Sequence, residues 1–303
     1  MEPLDQYTRA DVGLIGVGLL GSAIGRRWLK AGFSVTVFDN DRAKVDALIA
    51  DGARGAETPQ MVFASSNRVA LALPHSVISA RVLAAAEVSK NGQVVLDMTT
   101  GDPAEMAAIA GESRKKGIRY CDTTIGGSSA EAAAGSAIIM AGGEQEAFES
   151  CRDLLELVAR RIFWLGPAGS GARMKLALNL VLGLNRAVLA EGLGFAKSCG
   201  IDPALALEVF RSGPAYSRVM DTKGEKMLCA DFVPQARLAQ HRKDVDLILQ
   251  EAARHSAHAP FSRLHRNLLV LLEQAGYGGE DNSAIIRAFA EVPTRAEPPA
   301  GIP

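Results

Sequence analysis

From Gly169 to Gly200 the chain reads GSGARMKLALNLVLGLNRAVLAEGLGFAKSCG, without a proline. Glycines bracket the stretch, two at its start and one at its end, where loops and helix C-caps use them. The roughly twenty-seven residues between them make a helix about 40 Å long at 1.5 Å per residue. It is apolar almost all round, so it has to be covered on most sides. Lys175, Asn179, Asn185, Arg186 and Glu191 interrupt it too often for a membrane span. At about 100° per residue, Lys175, Asn179 and Arg186 fall within roughly 40° of one another. Buried lysine is rare unless it is paired or functional, so a lysine and an asparagine one turn apart on a covered helix need a reason.

Ahead of this helix the chain repeats one unit: a short apolar run, a turn, then a helical pattern. The runs are VGLIGVG, SVTVFDND, RVALALP, QVVLDMTT, IRYCDTTI, SAIIMAGG and RIFWLG. Segments such as Gly21 to Ala31 and Pro103 to Gly117 have helical length and periodicity between them. Strands alternating with helices imply βαβ units and a parallel sheet. The pattern stops at Gly166-Pro167, and no convincing strand run follows before Phe289. The expected fold is therefore α/β: a Rossmann-like, mostly parallel sheet domain (1–166), then an all-α domain (167–290) joined to it by the long helix. The proline-rich tail 291–303 is expected to be disordered and residues 1–10 to be a polar extension. A length of 303 residues fits two cores better than one.

A net charge of −1 gives no field for nucleic acid or an acidic membrane. Cys121, Cys151, Cys199 and Cys229 are far apart and form no CxxC pair, which speaks against a zinc site or disulfide framework and for a reducing cytoplasm. No signal peptide is visible.

Gly16-Val17-Gly18-Leu19-Leu20-Gly21 follows the strand VGLI and opens a helix. In that setting GxGxxG is a strong dinucleotide signature. Gly16 permits the tight turn, Gly18 lets backbone amides approach a pyrophosphate, and Gly21 lets helix and strand pack closely. The helix N-terminus adds partial positive charge. Asp39 lies 39 − 16 = 23 residues after the first glycine, where a carboxylate accepts hydrogen bonds from the adenosine ribose and repels a 2′-phosphate. Asn40 and Asp41 follow, and Arg42 is the first base. NAD is the expected cofactor, with NADP the alternative.

Together with LDMTTGDP, DTTIGGSSAEAAAGSAIIMAGG, GPAGSGARMKLALN, HRKDVDLIL and GYGGEDNSA, this region resembles the β-hydroxyacid dehydrogenase family. That family includes 3-hydroxyisobutyrate dehydrogenase and the glyoxylate/succinic semialdehyde reductases. The resemblance implies that Leu73, Pro74 and Thr100 line the cofactor site and that Lys175 is the catalytic lysine with Asn179 as its companion. It also implies that Lys243 reaches the cofactor and that Gly126, Gly127 and Ser128 form the substrate-binding loop. The family's loop usually reads Asp-x-Pro-Val-Ser-Gly-Gly. Here Thr124 replaces the proline and Gly126 the serine, so a hydroxyl contact is lost; the backbone amides from Gly126 to Ser128 still suit a carboxylate, and Ser128 offers another hydroxyl. Relatives of this kind have a 6-phosphogluconate dehydrogenase-like C-terminal domain.

The lysine has a chemical case of its own. Removing a hydride from an alcohol carbon requires loss of the hydroxyl proton, and a lysine whose pKa burial lowers can take it. Asn179, about 6 Å along the same face, can donate to the substrate oxygen. Arg186 either is structural or extends an anionic pocket. His255 and His258 read as a solvated pair, and His241, with Arg237 and Arg242, as a solvated helix face, with a basic flank of the substrate mouth as the alternative. No metal-ligand set is visible.

The whole reads as an oxidoreductase moving a hydride between a nicotinamide cofactor and a small β-hydroxy acid, or its semialdehyde or keto counterpart. Its partners are expected to be a small anionic substrate and a second or further copies of itself, in a homodimer or homotetramer, with no nucleic acid and no membrane. An imine reductase is the rival enzyme, against which Lys175 speaks. A non-catalytic dinucleotide-sensing scaffold is the rival of another class, and it needs neither Lys175 nor Asn179.

Overall fold

The computed structural model describes residues 9–86 and 92–289. The chain divides into two compact units, Met1–Lys175 and Leu176–Pro303. The tail expected to be disordered lies outside the described residues, as do the first eight residues of the expected polar extension; Arg9 and Ala10 already belong to the first strand.

The first unit holds an eight-stranded sheet: β1 (Arg9–Ile15), β2 (Phe33–Phe38), β3 (Arg54–Gly55), β4 (Arg68–Leu71), β5 (Val94–Asp97), β6 (Arg119–Gly126), β7 (Ala137–Gly143) and β8 (Ala159–Trp164). Their order across the sheet is β3-β2-β1-β4-β5-β6-β7-β8. Every pair is parallel except β6 with β7, which is antiparallel. All seven expected runs form strands. The eighth, β3, is two residues of an arginine and a glycine at the sheet edge, with no apolar run to betray it.

Both faces of the sheet are covered, as a parallel sheet requires. Neighbouring residues of one strand feed opposite cores: Leu14 packs with Trp28, Leu48 and Phe148, whereas Ile15 packs with Phe63, Leu71 and Met106. The strand order reverses between β1 and β4, which opens a crevice beyond the strands' C-terminal ends.

The second unit is helical. The long helix Ser170–Ser198 begins in the first unit and runs on into the second. Four more helices follow, Pro203–Ser212, Arg218–Leu228, Leu238–Arg254 and Pro260–Gln274. Beyond β8 the described residues contain no strand, only an isolated bridge between Arg237 and Asp281. Leu193, Leu207, Leu238, Val245, Leu269 and Ile285 form the core. Asp281 is its polar anchor. The Lys223 ammonium donates to both carboxylate oxygens at 2.8 and 3.0 Å, and the amides of Gln235, Ala236 and Ser283 donate as well. Burial alone would raise the Asp281 pKa; Lys223 and these amides outweigh it and hold the carboxyl at about 2.

One expectation for the long helix needs correction. It is long and apolar enough, by length and composition alone, to cross a membrane, and within this chain it is not covered on most sides. Ala187, Leu189, Ala190 and Leu193 are buried, while Val181, Val188 and Phe195 stand 53%, 66% and 71% exposed. These three recur every seven residues, so they share one face.

Candidate active site

The glycine turn has the geometry its three glycines were expected to need. Gly16 has φ +91°, and a Cβ there would lie 2.4 Å from the Ala72 carbonyl oxygen. At Gly21 a Cβ would lie 1.9 Å from the Gly16 oxygen, so helix and strand meet at glycine-only distance. Gly18 is the opposite case. It is the N-cap of the helix Leu19–Lys30 and its Cβ would meet nothing within 4 Å. No protein atom demands a glycine there, whereas a phosphate drawn to the helix N-terminus does. The turn therefore fits a dinucleotide.

The sheet register collects the other expected cofactor residues. Phe38, Ile15, Leu71 and Asp97 lie side by side at the ends of β2, β1, β4 and β5. The residues just beyond them, Asp39, Gly16, Leu73 with Pro74, and Thr100, therefore gather at one edge. The Asp39 carboxylate accepts from the Val17 amide at 2.8 Å and from the Asp41 amide at 2.9 Å. It is thus held against the glycine turn, while Asn40 is exposed. Arg42 is turned away into an ion pair with Asp46, at 2.9 Å.

Thr99, which the sequence did not single out, is the joint beneath this edge. Its hydroxyl accepts from the Leu73 amide at 3.1 Å, and its own amide donates to Asp97 at 3.0 Å. Asp97 is fully buried, and that burial raises its pKa.

The loop expected to bind substrate closes β6. Gly126 is buried, and Gly127 is exposed at φ +134°, in the left-handed region that favours glycine. Ser128 has a structural duty beyond the expected one, because it caps the helix Ser129–Ala134. Its hydroxyl accepts from the Glu131 amide at 3.1 Å, and its amide donates to the Glu131 carboxylate at 2.8 Å. A carboxylate of the chain itself thus sits on one of the amides assigned to the substrate.

Upstream in the same strand, Asp122 is a second residue the sequence reading passed over. Its carboxylate accepts from the Gly169 amide at 2.8 Å and the Ala172 amide at 2.7 Å, so it caps the long helix. Burial pushes its pKa up to about 6, against the pull of those two amides. Thr124, two residues on and therefore on the same face, directs its hydroxyl to the Gly171 carbonyl at 3.0 Å. The strand thus grips the first turn of the helix, and Lys175, half-buried, follows one turn later.

In the second unit Asn179 is buried and its Nδ2 donates to Asp244 at 3.0 Å. Asp244 adjoins the half-buried Lys243 on the helix Leu238–Arg254. The signal for Asp244 was present: Leu238, His241, Val245 and Ile248 mark that helix's apolar face, and Asp244 falls on it. For the same reason His241 is not on a solvated face. It is buried, its ring centroid 5.1 Å from that of His265. His255 and His258 are exposed, as expected.

The chain is similar to known proteins over nearly all of its described residues. Residues 11–166 match the family model of the NAD binding domain of 6-phosphogluconate dehydrogenase, and residues 169–289 that of the NAD-binding of NADP-dependent 3-hydroxyisobutyrate dehydrogenase. The chain is 30% identical to 2-(hydroxymethyl)glutarate dehydrogenase of Eubacterium barkeri over 286 residues, covering 93% of this chain and 95% of that one. The crystal structure of 3-hydroxyisobutyrate dehydrogenase from Salmonella typhimurium superposes with a TM-score of 0.84 at 24% identity, over 92% of this chain and 99% of its own. That of Psf3 in complex with NADP+ and 2-OPP does so with 0.81 at 26%, over 92% and 100%.

The contrast between two glycines is open to test. We predict that Gly18→Ala leaves the thermal unfolding midpoint unchanged but weakens dinucleotide binding at least about tenfold, because its methyl meets only ligand. Gly21→Ala should instead cost roughly 1–3 kcal/mol of stability by overpacking. Thermal unfolding and fluorescence titration with NADH separate the two, and equal effects on stability would refute the assignment.

Proposed function

The chain belongs to the β-hydroxyacid dehydrogenase family, and from that membership we propose that it interconverts a small β-hydroxy acid and its semialdehyde or keto counterpart, using a nicotinamide cofactor. The observation that carries the proposal is the pair Lys175 and Asn179, one turn apart on a helix whose first turn is gripped by the strand that ends in the glycine loop. Lys175 serves as general base for the hydroxyl proton and as general acid in reverse. Asn179, its amide held by Asp244, orients the reacting oxygen. Gly16 to Gly21, Asp39, Asn40, Leu73, Pro74 and Thr100 hold the cofactor, which supplies the hydride transfer when bound.

The substrate is a small anion whose carboxylate lies two bonds from the reacting carbon, drawn to the loop Gly126-Gly127-Ser128. The Ser128 amide is engaged by the Glu131 carboxylate, so the backbone of the two glycines is the part of the loop on which this reading rests. The missing side chain at Gly126 leaves room for a substrate bulkier than 3-hydroxyisobutyrate.

NAD is the preferred cofactor. Asp39 faces the place of a 2′-phosphate, and the nearby bases Arg42 and Lys44 are both paired with carboxylates, of Asp46 and Asp41. The NADP+ bound by Psf3 marks the alternative.

The enzyme works as a homodimer or homotetramer. The stripe Val181–Val188–Phe195 runs about 21 Å along the long helix at 1.5 Å per residue, and a face of that kind marks an interaction surface. The four cysteines are free thiols, which suits the cytoplasm.

Three results are expected. A screen of short β-hydroxy acids and semialdehydes, followed at the absorbance of the reduced nicotinamide, should give a kcat/KM about a hundredfold higher with NAD than with NADP, the worth of roughly 2–3 kcal/mol; equality would show that another base neutralises Asp39. Lys175→Ala should lower kcat by about 10²–10⁴ while cofactor affinity holds, and turnover within threefold of the parent would remove the lysine from the mechanism. In light scattering after gel filtration the parent should run as an oligomer and Val188→Glu as a smaller species; a monomeric parent would sink the assembly.

A further inference from the structure

The carboxylate that seats the long helix is engaged at both oxygens. Asp122 Oδ1 accepts from the Gly169 amide at 2.8 Å, and Oδ2 from the Ala172 amide at 2.7 Å. The space around them is filled. A Cβ at Gly142 would lie 2.8 Å from Oδ1, and one at Gly171 would lie 2.9 Å from Oδ2. A carboxylate accepts at both oxygens, whereas the hydroxyl oxygen of a carboxylic acid is a donor and a far weaker acceptor. In this packed seat a proton on either oxygen therefore costs one of the two helix amides its partner.

The surroundings favour that proton. The register partner of Asp122 on β5 is Asp97, and both are fully buried. Val95 and Tyr120, two residues before each, lie in one core, so both acids stand on that face of the sheet. The Tyr120 hydroxyl donates to Asp97 at 2.8 Å. On the other side β7 sets Gly142 against Asp122, which brings no charge. The first turn of the long helix meets it with backbone amides, and the next cations along that helix are the exposed Arg173 and the half-buried Lys175. Burial, with Asp97 adding to it, pushes the Asp122 carboxyl from 3.8 up to about 6 against the pull of the two amides. The folded chain thus binds this proton more tightly than the unfolded one. As pH drops from 6 toward 3.8 this group adds stability rather than losing it. Acid in that window changes the seat without unfolding the chain through Asp122.

We propose that Asp122 is a positioning residue for Lys175 that works only as a carboxylate: a proton on it frees one amide of the helix's first turn and shifts Lys175, one turn on, out of place. This rests on Lys175 being the acid and base of the reaction, as described above.

The direction of reaction separates the two groups. In reduction Lys175 has to carry a proton, so its own titration cuts the rate on the alkaline side. A fall on the acid side belongs to another group. With the full chain, reduced cofactor and the semialdehyde turned over best, kcat should fall about tenfold per pH unit below a midpoint near 6, while circular dichroism reports a folded protein. Asp97→Asn keeps the seat and removes the neighbouring charge, so it should move that midpoint down. Asp122→Asn offers a nitrogen in place of one oxygen and should give a low kcat that stays level across the same range. If that variant does not fold, a second measurement carries the test: the backbone amide signals of Gly169 and Ala172 in the parent should titrate together with the midpoint of kcat. A level kcat toward acid in the folded parent would overturn the proposal, as would amide signals that do not move there. An acid limb that vanishes in Asp97→Asn would belong to Asp97 and overturn it equally. If the parent reduces no semialdehyde, the proposed function fails, and the amide signals still decide whether the seat titrates.

Discussion

Two backbone amides at the start of the long helix end on one buried carboxylate. Asp122 takes the Gly169 and Ala172 N–H groups, and Thr124 of the same strand adds a bond to the Gly171 carbonyl. The first amides of a helix have no partner inside it and must find one. Here the partner projects from the middle of β6, so the helix begins where the strand allows. Glycine at 171 belongs to the same device: a Cβ there would lie 2.4 Å from the Met140 oxygen and 2.9 Å from an Asp122 oxygen. The position of Lys175 follows from this seat, as the place of Gly126 to Ser128 follows from the strand that carries it. Lys175 and the glycine loop are thus referred to one element.

The same economy holds at the other sheet ends. A βαβ fold delivers each strand's C-terminal residue to one edge, and register aligns Phe38, Ile15, Leu71 and Asp97 there. Gly16, Asp39, Leu73 and Thr100, far apart in sequence, are thus brought to one edge without any of them having to reach. Thr99 and Asp97 then lock the edge from below.

Much of this was legible beforehand because it is local. Short apolar runs between turns gave the strands, the spacing of three glycines gave the turn, and a proline-free apolar stretch gave the helix. What escaped were features whose cause lies far along the chain. Asp122 meets partners 47 and 50 residues away, and Asn179 meets Asp244 across 65; a periodicity count marks such acids as buried but does not say against what. The antiparallel turn of β7 left no trace in composition, since its residues are as apolar as those of a parallel strand. His241 was misplaced because its basic neighbours in sequence, Arg237 and Arg242, suggested water, while its helical period already pointed inward.

The seven-residue spacing of Val181, Val188 and Phe195 carries a geometric demand. A straight helix drifts about 20° per heptad, so a stripe of this period slowly winds around it. Two such stripes stay in contact along their length only when their helices cross at about 20°. A twofold axis passing through Val188 sets that valine against its own copy and each Val181 against a Phe195, small opposite large. The stripe is its own complement, and in the proposed dimer its midpoint, Val188, is the residue beside which a twofold axis would pass.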